Sequence, residues 1–313
     1  MDFKFTEKNE LTKEEDEEKI KVVFSGSFED SEENREVIIP EGIEEIAENT
    51  FRGFTNLETV TFPKSLKVVS ASAFADCKNL KSVNMNTGLE EIGDEAFSSC
   101  PSLVSVTIPD TVKRIGEGAF EACASLRKVK LSESVLMIGA SAFAYCFNLT
   151  ELTIPDSCVL VEFNAFSSCF SLEWVKLSSN MALLDESLFE GCRSLTEVDM
   201  PAGLTRIGRR VFKGCTSLKS LILPVSVKNI GFDAFAGCTS LARIAIPKGT
   251  CELEDDDVFT NCDSLSDISF GGSREEWEML THGKTLMIEC TNGTVKTPRV
   301  TFLNLDEKKL LKE

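Results

Sequence analysis

The sequence predicts an α/β solenoid of stacked rungs, with a parallel sheet on its concave face and short helical or 3-10 turns on its convex side. Three observations predict it. Phenylalanines recur at Phe51, Phe74, Phe97, Phe120, Phe143, Phe166, Phe189, Phe212 and Phe235, each 23 residues after the last, and a step of 24 reaches Phe259. From Phe74 onwards a cysteine follows each of them by three residues, Cys77 through Cys262. The apolar letters between phenylalanines keep one spacing, which in residues 97–119 is Leu103, Val106, Ile108, Val112 and Ile115.

A period between 20 and 29 residues is that of a leucine-rich-repeat solenoid, here of about ten to eleven rungs. Residues 28–270 form it as one elongated domain, opening on a degenerate rung in which Phe28 is in frame and Asn34 stands for the repeat leucine. Residues 1–27 read as an N-terminal cap, because an open solenoid end exposes strand edges and raw core. In that cap the run KEEDEEK at 13–19 predicts a short helix, and Ile20–Phe24 a strand.

Within the rung 97–119, alternation turns Val106 and Ile108 inward and Ser105 and Thr107 outward. Pro109 ends the strand, since it cannot donate to the next ladder. Asp110 and Thr111 predict a turn held by local side-chain bonds. Val112 and Ile115 return to the core, Gly116 supplies conformational freedom for the corner, and Glu117–Cys123 predicts a single helical turn. Departures from the frame are local. Asn86, Ser132 and Ser178 replace the proline, Glu162 and Asp185 replace the corner glycine, and an extra residue enters near Gly249–Cys251.

After Phe270 the pattern stops, and residues 271–313 read as a C-terminal cap of helix plus hairpin. Ser273 and Glu276 make a capping box opening a helix with Trp277 and Leu280 on one face. Thr285–Cys290 and Val295–Phe302 are strand-like and joined through Asn292-Gly293, before a charged tail.

Composition narrows the function. The net charge is −18, which disfavours nucleic acid and anionic membrane surfaces as partners. The N-terminus has no apolar leader core, and no 18-residue apolar run spans a bilayer. The expectation is a cytoplasmic protein if Met1 is the native start, and a cell-surface or secreted one if a signal peptide was removed. Cysteines fixed to the repeat frame behave as small buried hydrophobes. With no Cys-x-x-Cys pair and His282 the single histidine, neither a metal site nor any cofactor is expected. An enzyme is disfavoured too, since no phosphate-cradling glycine loop appears and the carboxylates scatter over solvent faces.

The recurring A-F-x-x-C-x-x-L-x-x-V-x-I-P, present as Ala119, Phe120, Cys123, Leu126 and Val129, resembles the BspA-like leucine-rich repeat of the 23-residue class. SREEW at 273–277 looks like that family's C-terminal end, and the resemblance covers roughly residues 28–280. It implies a right-handed solenoid used for protein binding, in the family often as a surface adhesin, with no catalytic motif.

Candidate binding residues are sought at the outward strand slots, two and four residues after each repeat leucine. Most are small and polar. The exception is Lys128 and Lys130, Glu151 and Thr153, and Trp174 and Lys176, in three consecutive rungs. An outward tryptophan among lysines in so acidic a chain points to a protein partner, since tryptophan buries much area at low entropy cost. The alternative is that Trp174 simply covers lysine stems. The partner's identity is open, and the chain is expected to be a monomer. Arg206, Arg209, Arg210 and Lys213 form a second basic cluster, read as a solvated face.

Overall fold

A computed structural model of the chain describes residues 11–16, 19–24, 35–254 and 256–303. Phe28, Asn34, most of the N-terminal cap and the charged tail after 303 lie outside the described residues. The fold divides into two compact units that meet in sequence at Leu172 and Glu173. The rung expected from the repeat builds both.

In unit 1 the long strands pair in parallel, each residue beside the one 23 positions on. Glu36–Ile38 pairs with Thr59–Thr61 and that with Ser82–Asn84, while Ser105–Thr107 pairs with Lys128–Lys130. Central residues such as Val60, Val106 and Leu152 are buried, as the alternation requires. A second parallel ladder runs along the return limb in two-residue strands, from Glu45–Ile46 to Leu160–Val161. The N-terminal stretch extends this ladder. Leu11–Asp16 and Lys19–Phe24 form an antiparallel hairpin, and Phe24 lies beside Ile46. Within the helix expected at 13–19, residues 13–16 and 19 are therefore strand, because helix propensity is a weak prior that an available ladder edge overrides.

The third side differs from expectation in detail. Glu117–Cys123 makes consecutive β-turns, Glu121 N donating to Gly118 O at 2.9 Å and Cys123 N to Phe120 O at 3.3 Å. The amides in between serve the next rung, Gly118, Phe120 and Ala122 donating to Ala140, Ala142 and Ala144 at 2.7–2.9 Å. A helical turn would have spent those amides inside its own rung. This alternation places the residues two before and two after the phenylalanine in the left-handed region, Gly118 at φ 58° and Ala122 at φ 56°. Among the described residues, a 3-10 turn occurs at Asp256–Phe259; Leu253 still pairs 23 residues after Ile230, so the step lengthens to 24 between Leu253 and Phe259 and not at Gly249–Cys251 as expected.

Two local readings also change. Asp110 and Thr111 bond to neighbouring rungs, Thr111 Oγ1 to Leu89 O at 2.5 Å and Asp110 Oδ1 from Glu133 N at 3.0 Å. Gly116 has an ordinary φ. Its need is clearance, since a Cβ there would stand 2.5 Å from the backbone nitrogen of Asp94. Where proline is missing, Ser132 takes over the turn, its buried hydroxyl donating to Val112 O at 2.7 Å and accepting from Ser134 N at 3.1 Å.

The core is a column of rings. From Phe51 to Phe166 successive centroids lie 5.0–5.5 Å apart within 8° of parallel, and every ring is fully buried. Burying each contributes about 1.5–3 kcal/mol, which a lone rung could not match against ordering 23 residues at about 1–2 kcal/mol each. Beside the rings each thiol donates to the phenylalanine carbonyl of the preceding rung, Cys123 Sγ to Phe97 O at 3.3 Å. All twelve cysteines are free, and burial pushes the Cys123 and Cys169 thiols up to about 12.

Unit 2 repeats the plan. Its rings from Phe189 to Phe259 stack at 5.6–5.9 Å. Its helix, Arg274–Leu280, carries the expected capping box and buries Trp277 and Leu280. Trp277 lies 5.2 Å from Phe270 and so seals the last rung. The expected hairpin forms with short arms, Ile288–Glu289 against Val295–Lys296. Pro298 then interrupts it, and Arg299–Phe302 pairs instead in parallel with Asp267–Phe270 as a further strand. No helix among the described residues is long and apolar enough to cross a membrane.

Candidate functional site

The outward slots of the long strands are where the fold leaves side chains free of the core. In unit 1 they begin as a polar ladder, Thr59 Oγ1 lying 3.2 Å from Ser82 Oγ and Asn84 Nδ2 donating to Thr61 Oγ1 at 3.1 Å. Lys128 and Lys130 follow beside Ser105 and Thr107, both exposed. Glu151 and Thr153 occupy the next strand, also exposed, with Leu152 buried between them. In unit 2, Trp174 is half-buried beside Glu197, and Lys176 is exposed beside Asp199. Four of the six candidate residues therefore belong to unit 1 and two to unit 2.

Elsewhere many basic side chains are matched across rungs. Lys81 pairs with Glu58 at 2.7 Å, and Arg114 with Glu91 and Asp94 at 2.8 and 2.7 Å. Lys81 holds the Glu58 carboxyl below its ordinary range. Lys128, Lys130 and Lys176 form no ion pair among the described residues, and no cation lies over the Trp174 ring. The strand face of unit 1 so presents unmatched positive charge and hydroxyls, and that of unit 2 an unmatched lysine beside an aromatic surface. It can bind, by charge and by burial. Among the described residues no group of three or more histidine, cysteine or acidic side chains could hold a metal ion.

Two features escaped sequence reasoning. Ile222 fills an outward slot in unit 2 and is 65% exposed, beside Ala245. An apolar letter in a polar column was its signal. In unit 1, Phe147 stacks on Phe170 at 4.8 Å with Tyr145 edge-on at 6.2 Å, and Tyr145 holds φ 60° in a slot that other rungs fill with glycine or a small or short polar residue. The sequence signal was two phenylalanines 23 apart but out of phase with the core column.

The sequence matches the family model described as BspA type leucine rich repeat region, in six copies over residues 2–125, 90–218 and 183–289. No curated protein matches. Among solved structures, a leucine-rich repeat protein from Bacteroides ovatus is similar at 21% identity, covering 97% of this chain and 100% of that one, with a TM-score of 0.50. A leucine rich cell surface protein from Faecalibacterium prausnitzii is 25% identical over 83% of this chain and 92% of its own, TM-score 0.43. The leucine rich repeat protein of T. pallidum is 26% identical over 64% and 82%, TM-score 0.47. With its 23-residue frame, its ring and thiol columns and a family model spanning nearly its whole length, the chain belongs to the BspA-type leucine-rich-repeat family.

Proposed function

We propose that the long-strand face is a non-catalytic protein-binding surface. Its contact residues on unit 1 are Lys128, Lys130, Glu151 and Thr153, and those on unit 2 are Trp174 and Lys176. The observation that carries this reading is the set of strand-face lysines left without ion pairs among the described residues, in a chain of net charge −18. Matched lysines would already have spent their charge, whereas unmatched ones steer a partner carrying carboxylates. Trp174, half-buried and without a cation over its ring, has apolar area left to bury. Exposed Ile222 adds to the same face of unit 2.

The test is quantitative affinity capture on immobilised full chain, wild type against Trp174→Ala and against Lys128→Glu/Lys130→Glu. A protein bound through unit 1 should be lost from the lysine variant, and one bound through unit 2 should be weakened by Trp174→Ala. Its affinity should fall about 30-fold for Trp174→Ala, as for an interface hot spot worth about 2 kcal/mol. Equal retention on wild type and both variants would remove the strand face from consideration.

A further inference from the structure

Rung for rung, the corner before the phenylalanine is acidic, small or aromatic. At the position of Arg209 and at that of Arg210, each is the sole cation among the nine rungs from Phe51 to Phe235. Arg210 moreover takes a left-handed backbone at φ 56°, a slot that the other eight rungs fill with Asn, Ser, Glu, Gly or Asp. A long side chain held at that cost calls for a local reason.

The surroundings supply one. Arg209 and Arg210 line a cleft of about 550 Å³ in unit 2 with Glu186, Phe232, Glu252 and Glu254. Glu254 is fully engaged, taking Arg206 Nη2 and Arg209 Nε at 3.1 Å each and Phe232 N at 3.3 Å. It fixes the plane of Arg209 through Nε and leaves the two terminal nitrogens outside that bond. Glu252 accepts from Asn229 Nδ2.

Arg210 is different. Its Nε is buried with no hydrogen-bond partner. The nearest carboxylates, Glu186 and Asp233, stand 3.9 Å away, and Asp233 Oδ2 is already taken by Lys213 at 2.6 Å. The guanidinium lies 5.9 Å over the Phe232 ring. A desolvated donor without an acceptor is destabilising until one arrives. A guanidinium fork fits a carboxylate, phosphate or sulfate.

We propose that this cleft binds the oxyanion group of a small ligand, clamped by Arg209 and Arg210, with Phe232 as the apolar floor. Its volume suits a ligand the size of a sugar acid or a dipeptide. Glu254 orients the Arg209 fork, and the Arg210 fork is left open to the ligand.

The experiment follows the arginine Nε–Hε signals of the full chain by NMR while sodium phosphate, sulfate or succinate is added at constant ionic strength. The expected result is a saturable shift of the Arg209 and Arg210 signals. Affinity should weaken at least about tenfold in Arg209→Gln and in Arg210→Gly, as loss of a charged hydrogen bond predicts. Glycine suits the left-handed slot, so Arg210→Gly removes the guanidinium without endangering the fold. Saturation by phosphate or sulfate alone identifies a tetrahedral monoester, and saturation by succinate alone a carboxylate. No saturable shift with any of the three anions at tens of millimolar overturns the proposal, as does unchanged affinity in both variants.

Discussion

Replacing Gly231 by alanine pushes a methyl group into the backbone of the rung below. A Cβ there would lie 2.7 Å from Arg209 N, 2.7 Å from Gly208 C and 2.9 Å from Gly208 O. None of these atoms can rotate aside, and the ladders fix the rung spacing, so the overlap costs about 3 kcal/mol, the upper end for overpacking. Gly214 supplies the contrast. Its Cβ would meet Gly191 Cα at 3.6 Å, an ordinary contact, and its only demand is φ 75°. Left-handed backbone costs alanine about 1–2 kcal/mol, offset by about 0.4–1 kcal/mol from stiffening the unfolded chain, for a net loss of about 1 kcal/mol. Gly203 has an ordinary φ and no heavy atom within 4 Å, so its alanine variant gains about 0.4–1 kcal/mol. All three residues lie in unit 2, so urea unfolding followed by circular dichroism compares them in one transition. The midpoints should rank Gly203→Ala above wild type, then Gly214→Ala, then Gly231→Ala. A Gly231→Ala midpoint at or above that of Gly214→Ala would refute the clearance argument.

Two further outcomes follow from burial. Only Cys251 among the twelve thiols is exposed, so the native chain should give one fast equivalent with a thiol reagent at pH 8 and the rest only after denaturation. Two or more fast equivalents would mean the thiol column opens. Glu121 is the other case: burial first, then Glu95 and Glu117, raise its carboxyl above the ordinary value. The folded state thus holds that proton more tightly than the unfolded one, and stability falls as pH climbs from the unfolded pKa through the folded one. Glu121→Gln should therefore raise the thermal midpoint at pH 7, by an amount worth under about 1 kcal/mol at so accessible a site, and lose that advantage near pH 4. An equal effect at both pH values would assign it to something other than charge.

What could be read in the sequence was what repeats in register. Phe120, Cys123, Leu126 and Val129 announce the rung because stacking demands the same letter every 23 residues. The two-residue strand Arg114–Ile115 was not legible, since two residues show no alternation. Nor were the stacked turns, for Phe120 and Cys123 lie three apart, a spacing that a helical turn would share. Their left-handed residues are often Ala, Ser or Glu, types that give no warning. At the strand face, the outward placement of Lys128 and Lys176 was legible from period two. Their lack of partners was not, because pairing depends on which side chains adjoin in the next rung. The arginine cleft was invisible for the same reason: Glu254 reaches Arg206 from 48 residues away.

Within each unit the three ladders also fix the response to force. Their backbone bonds all run from one rung to the next, so tension along the stack loads them in peeling rather than in shear. A rung at a free end comes away as a whole, its three seams parting together. Each such event lets out 23 residues, roughly 80 Å of extended chain, and leaves the next rung bearing the load in an identical geometry. Extension under steady pulling is thereby divided into equal steps, and the repeat length is also a unit of mechanical compliance.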